Sequence, residues 1–118
     1  GMLAMEKTWD RTRDGLIFIN LIDFDMIHGH RRDPEGYASC LLEFDDWLGN
    51  FLPKINPDDL LVISADHGND PTWHGSDHTR EQVPALELKG QEPPRCTGGH
   101  QDFTYVSHLL RNHFSQTC

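Results

Sequence analysis

No stretch of this chain approaches the roughly eighteen consecutive apolar residues that a membrane-crossing helix needs, so no membrane association is expected. Positive charge is scarce: 10 Lys and Arg stand against 19 Asp and Glu, for a formal net charge of −9. A chain with no basic stripe cannot displace counterions from nucleic acid, which excludes that class of partner. An anionic substrate is disfavoured too, unless bound dications reverse the sign locally. Cysteines number only three, Cys40, Cys96 and Cys118, with no CxxC spacing. They read as free thiols in a reducing cytoplasm. No basic segment followed by an apolar run opens the chain, so export is not expected, and Gly1 before Met2 reads as a cloning remnant ahead of an initiator. Repeats, low-complexity tracts and interdomain linkers are absent as well. Residues 1–118 are therefore expected to form a single domain, burying roughly two-thirds of the unfolded surface.

What the chain does contain is two apolar runs that each end in acidic and imidazole side chains. Leu60-Leu61-Val62-Ile63 leads into Ala65-Asp66-His67-Gly68-Asn69-Asp70, and Asp77-His78-Thr79-Arg80-Glu81 follows after a loop rich in Pro, Gly, Asp and Asn. Leu16-Ile17-Phe18-Ile19-Asn20-Leu21-Ile22 leads into Asp23-Phe24-Asp25-Met26-Ile27-His28-Gly29-His30. Open α/β sheets bind ligands at the carboxyl ends of their strands. Carboxylates and imidazoles gathered there suit a divalent metal of the manganese, iron or zinc kind. A lone Asp-His-Gly is commonly just a turn, with Gly68 tolerating backbone angles closed to other residues. Two runs ending alike are harder to explain in that way.

The rest of the pattern supplies elements to carry these clusters. Residues 2–15 read as a short helix or an ordered arm. Residues 16–22 are predicted as a first strand covered on both faces, 60–65 as the second, and 83–88 as the third, with Pro84 near its start. Asp33-Pro34 is a helix start, with Asp as N-cap and Pro in the first turn. Tyr37, Leu41, Phe44, Leu48 and Phe51 then make a core-facing stripe that Gly49 and Pro53 end or break. Lys89 to Gly99 reads as a Pro/Gly loop. Phe103, Val106, Leu109 or Leu110, and Phe114 give a last helix. The order β-α-β-β-α, with a right-handed crossover in its βαβ part, places the chain in the α/β class.

The run Asp23-Phe24-Asp25-Met26, Gly29-His30-Arg31-Arg32-Asp33 and Glu35-Gly36-Tyr37-Ala38 resembles the phosphopentomutases. So do Ala65-Asp66-His67-Gly68-Asn69-Asp70-Pro71-Thr72, Asp77-His78-Thr79-Arg80-Glu81 and Val83-Pro84. Ala-Asp-His-Gly by itself indicates only the wider alkaline phosphatase-like superfamily. The resemblance runs from about Leu16 to Leu88. It departs near His100 and Asp102, where the family usually has a basic residue and then Ser or Thr before the Phe.

The resemblance implies a three-layer α/β/α, partial alkaline phosphatase-like fold with a short mixed sheet. It implies Asp25, His30 and His78 as ligands of one metal and Asp66 and His67 as ligands of another. The metal is usually Mn2+, two per complete site, with Mg2+, Zn2+ or Fe2+ as alternatives. Arg31, Arg32 and Arg80 would hold phosphate, and Asp23 would orient a ligand; His28 and His74 match no ligand position. A complete enzyme of this kind interconverts the 1-phosphate and 5-phosphate of ribose or deoxyribose by metal-assisted phosphoryl transfer. The chain reads as the C-terminal metal-binding half of such a core. The N-terminal half, its phosphate-carrying Thr and the cap domain do not fit before residue 16, so no catalytic nucleophile is assigned. Expected partners are a separately encoded N-terminal half or a second copy in a symmetric homodimer. The alternatives are a metal-binding pseudoenzyme or regulatory module, and an inactive remnant of a truncated gene.

Overall fold

The computed structural model describes residues 1–90, 92, 93, 99 and 102–116. In chain order these form α1 (Met2–Trp9), a π-helical turn (Phe24–Gly29), α2 (Pro34–Phe51) with a 3-10 turn after it (Leu52–Lys54), strands β1 (Leu60–Ser64) and β2 (Ala85–Lys89), and α3 (Thr104–Gln116). They divide between two units, Gly1–Lys54 with His67–Glu81, and Ile55–Asp66 with Gln82–Cys118.

In the first unit, α2 begins where the sequence predicts. Pro34 occupies the first turn, where no intrahelical N–H is required, and the Asp33 carboxylate accepts from the Gly36 N–H at 2.9 Å. That bond, ahead of a second one from His28, holds the Asp33 carboxyl below its ordinary pKa. Gly49 does not end the helix, which runs to Phe51 and tightens into the 3-10 turn at Pro53. The far end of α2 is the best-packed place in this unit. Phe51, 1% exposed, stacks on Trp47 with centroids 5.1 Å apart and meets the edge of Trp9 at 5.2 Å. Burying a phenyl ring of this kind contributes about 1.5–3 kcal/mol. The middle of the predicted stripe is not core, for Leu41 remains 50% exposed. Packing reaches the helix at its ends, where Tyr37 meets the edge of Phe24 and Phe51 meets α1.

Residues 16–22 do not form the predicted first strand. They join no ladder among the described residues, and the sheet is a two-stranded antiparallel pair, not a mixed one. The predicted crossover is accordingly not formed. A strand is stable only when neighbours take up its backbone N–H and C=O groups, and strand-like composition cannot supply them. The two-residue alternation is nonetheless present. Ile17, Ile19 and Leu21 are half-buried, while Leu16, Phe18 and Asn20 are exposed. Leu16 to Asn20 lines a groove with Met5, Thr8 and Thr12, which lie on or just beyond α1. The segment is therefore covered on one face, not two.

In the second unit, β1 and β2 pair with Leu61 opposite Leu88 and Ile63 opposite Leu86. Pro84 falls just outside β2, where its missing N–H costs no ladder bond, and its carbonyl accepts from the Ser64 hydroxyl at 2.9 Å. Gly90 closes the pair with a left-handed φ of 55° and donates to the Asp59 carbonyl at 2.8 Å. A Cβ there would lie 2.2 Å from the Pro57 carbonyl oxygen, so both conformation and space call for glycine. Asp102, where the sequence departs from the phosphopentomutase pattern, has a local task. It accepts from the Thr104 N–H at 2.8 Å at the head of α3. His100, Cys96, Cys118 and most of the predicted Pro/Gly loop lie outside the described residues.

One polar contact ties α1 to the end of α2. Glu6 accepts from the Lys54 ammonium at 2.6 Å and from the Trp47 indole N–H at 2.8 Å. These two bonds, Lys54 first, lower the Glu6 pKa below its ordinary 4.5. A carboxyl depressed in the folded state contributes stability above its unfolded pKa and loses it as pH falls through the folded value. Stability is therefore expected to decline as pH drops below about 4.5, with the Trp47 indole resonance shifting in step. In Glu6→Gln this share of the pH dependence should vanish, as followed by NMR and denaturant titration.

Candidate metal centre

The geometry that matters begins with the π-helical turn. Its i→i+5 closure, from the His30 N–H to the Asp25 carbonyl at 2.9 Å, brings side chains five residues apart onto one side. In an ordinary α-helix the ladder closes at i→i+4 and would separate them. Asp25 Oδ2 thus lies 3.4 Å from His30 Nε2. The second contribution comes from the loop at 67–81, drawn together by a bridge between Gly68 and Thr79. Gly68 is not in a left-handed conformation; its role is close approach. A Cβ there would lie 2.6 Å from Glu81 Oε2 and 2.9 Å from the Glu81 backbone nitrogen. Thr79 reinforces the closure by accepting from the Asp70 N–H at 2.6 Å.

His78 and His67 arrive from this loop. His78 Nε2 lies 3.4 Å from Asp25 Oδ1 and 3.2 Å from His30 Nε2. The His67 ring stacks on His78 with centroids 3.6 Å apart. Ligand atoms of Asp25, His67 and His78 all fall within 4.8 Å of one another. Two imidazole nitrogens and a carboxylate converge here. Such an arrangement needs either a proton on one ring or a cation that takes all the lone pairs together. His30 Nδ1–H donates to the Ser76 carbonyl at 2.6 Å, so a neutral His30 carries its lone pair on Nε2. His67 Nδ1–H donates likewise to the Gly68 carbonyl at 3.2 Å. Asn69 Nδ2–H donates to Asp25 Oδ1 at 2.6 Å and holds that carboxylate in place. The donor set, one carboxylate and imidazole nitrogens, suits manganese, iron or zinc.

Of the residues singled out in the sequence, Asp25, His30, His67 and His78 come together here. Within the first unit, His67 lies on His78. Asp66 belongs to the second unit, exposed just beyond β1. His28 is engaged elsewhere, with its Nδ1 2.8 Å from Asp33 Oδ2. Arg31 and Arg80 are exposed, as are Asp23 and His74. Arg32 is half-buried with its guanidinium turned into the 69–77 loop. Sequence reasoning missed Asn69 and Ser76. Only the place of Asn69 two residues beyond His67 hinted at it, and a ligand-holding backbone carbonyl leaves no trace in sequence.

Comparison with known proteins agrees with this chemistry. A family model described as the metalloenzyme superfamily matches residues 2–110. The chain is 49% identical over 116 residues to a phosphopentomutase of Chromohalobacter salexigens, a match covering 94% of this chain and 27% of that protein. Identity to the phosphopentomutase of Symbiobacterium thermophilum is 57% over 86 residues, 73% of this chain and 22% of that protein. For the phosphopentomutase of Hahella chejuensis it is 48% over 102 residues, 86% and 25%. The chain thus spans about a quarter of the length of these curated relatives.

Calorimetric titration of the chelator-treated chain with a divalent metal is expected to give one site per chain. Ligation requires deprotonated donors, so affinity should fall as the solution is made more acidic. His78→Ala should weaken binding by more than the roughly 10–100-fold typical of losing an outer partner. Two equivalent sites, or unchanged binding in His78→Ala, would contradict this geometry.

Proposed function

The chain belongs to the metalloenzyme superfamily, and on that premise we propose that it is a phosphopentomutase-like metal-binding domain. The observation that carries this reading is the approach of His30 Nε2 to His78 Nε2, at 3.2 Å, beside the Asp25 carboxylate. Asp25, His30, His67 and His78 would hold the metal, for which Mn2+ is proposed, with Mg2+, Zn2+ or Fe2+ as substitutes. When bound, such an ion polarises phosphoryl oxygens and offsets charge developing on them. Local positive charge is what a chain of net charge −9 needs in order to receive a phosphate ester. Around the ion, Asn69 orients Asp25, while the Ser76 carbonyl keeps the His30 lone pair on Nε2. The exposed guanidinium groups of Arg31 and Arg80 are suited to hold phosphate oxygens as paired donors.

As part of a complete enzyme the domain would serve interconversion of ribose or deoxyribose 1-phosphate and 5-phosphate. Asp66, on the second unit, is then proposed as a ligand of a second ion. A separately encoded polypeptide is proposed to supply the nucleophile and the remaining surface. The extended segment at residues 16–20, which joins no ladder and leaves Phe18 84% exposed, supports association either with such a partner or with a second copy as a homodimer. A second reading, a metal-binding pseudoenzyme or regulatory module, is supported by four candidate ligands gathered within this chain. Residence in the cytoplasm is proposed from the free thiol of Cys40. No helix among the described residues is long and apolar enough to cross a membrane.

The isolated chain loaded with Mn2+ is expected to leave ribose 1-phosphate at the background rate of isomerisation. It should release phosphate slowly from an activated aryl ester, in a reaction lost with chelator and in His78→Ala. Efficient isomerisation by the purified chain would overturn the partial-enzyme reading. Metal binding without ester hydrolysis would select the pseudoenzyme.

A further inference from the structure

Arg32 is the one non-glycine residue among those described with a left-handed backbone, at φ 57°. That conformation disfavours a long side chain and persists only where surroundings over-determine it. Here the surroundings are a ring of acceptors on the loop that delivers His67 and His78. Arg32 Nε–H donates to the Gly75 carbonyl at 2.5 Å, and Nη2–H to the Asp77 carbonyl at 2.6 Å. Nη1 donates to the Asp70 carbonyl at 2.7 Å and to Asn69 Oδ1 at 2.8 Å. Four of the five guanidinium N–H groups are thereby used. Asn69 in turn passes its own N–H to Asp25 Oδ1 at 2.6 Å, and Asp77 directly precedes His78.

We propose that Arg32 is a positioning residue, a clamp that fixes the 69–77 loop so that Asp25, His67 and His78 converge with His30. Its donors are committed to carbonyl and amide oxygens, so it has no fork left to offer a phosphate, in contrast to the phosphate-holding role the family resemblance implies. The four acceptors lie around a planar group, a geometry that the single compact ammonium of lysine cannot reproduce. Two strands of the structure meet in this side chain. One sets the orientation of the Asp25 carboxylate through Asn69, and the other sets the path of the backbone into His78.

The inference rests on the metal-centre reading, and the experiment separates the two. Arg32→Met, Arg32→Lys and Arg32→Gly are compared with the unaltered chain by Mn2+ calorimetry and by the visible absorption of bound Co2+. All three variants should bind Mn2+ about 10–100-fold more weakly and alter the Co2+ spectrum, the magnitude usual for lost outer partners of a ligand. Glycine relaxes the left-handed backbone, so Arg32→Gly should denature no earlier than Arg32→Met yet bind as weakly. That outcome assigns the effect to the guanidinium, not to the strain. Full affinity in Arg32→Lys, or in Arg32→Met, would overturn the clamp. So would loss of inorganic phosphate binding by Arg32→Met with Mn2+ affinity unchanged. If the unaltered chain takes up no metal, the metal-centre reading fails by itself, and the clamp is decided in the metal-free protein by NMR. The clamp then predicts that the Asn69 side-chain amide resonances and the His30–His78 ring contacts disappear in Arg32→Met; their persistence would refute it.

Discussion

Two imidazole nitrogens meet beside one carboxylate in this chain, and a proton on one ring or a cation must satisfy them for the cluster to hold together. His30 Nε2 and His78 Nε2 face each other at 3.2 Å, each 3.4 Å from an oxygen of the same carboxylate. No apolar core encloses them: the Asp25 side chain is 30% exposed and that of His78 46%. Bare electrostatics in so wet a place would let the groups drift apart, since exposed ion pairs are worth about 0–1 kcal/mol. Directed hydrogen bonds made by Asp25, His30 and His67 do the holding instead. They come from a π-helical turn, a bridged loop, an amide and a guanidinium. Each of these uses up a backbone or side-chain polar group that would otherwise need water.

The reach of sequence reasoning differs sharply between elements. Helix α2 is legible because its signals are local: an acidic cap, a proline at the first turn, and alternating aromatic and leucine residues three and four apart. Strands β1 and β2 were legible within about two residues, since apolar runs bounded by turn residues have few other uses. The segment 16–22 was misread because composition speaks for extended backbone, which it has in the alternation of its side chains, but not for the neighbour that makes a strand. Likewise, Leu41 lies on the stripe by spacing, while only packing at the two ends of α2 decides which part of the stripe is covered.

At the site, the identities of Asp25, His30, His67 and His78 could be picked out from clusters following apolar runs. The resemblance also puts Asp25, His30 and His78 together, while the place of His67 beside His78 is a matter of the fold. The stacking of His67 on His78 depends on how the loop closes through Gly68, Thr79 and Glu81, a matter of a few backbone contacts with no periodicity. Arg32 shows the same gap. Three arginines looked equivalent in sequence, yet one has a left-handed backbone and four hydrogen bonds to a loop about forty residues onward, while the other two remain exposed. Residue type advertised phosphate affinity for all three, and only the fold distinguishes a structural fork from an available one.

Membership of the metalloenzyme superfamily and the convergence of ligands both support the proposal that the chain by itself holds a divalent ion on a carboxylate and several imidazoles. X-ray absorption at the metal edge, on protein loaded with one equivalent of Mn2+, tests that claim most directly. The account predicts outer-shell scattering characteristic of imidazole rings, diminished in a chain lacking both His30 and His78. A spectrum of oxygen ligands alone, unchanged by removal of those histidines, would contradict it.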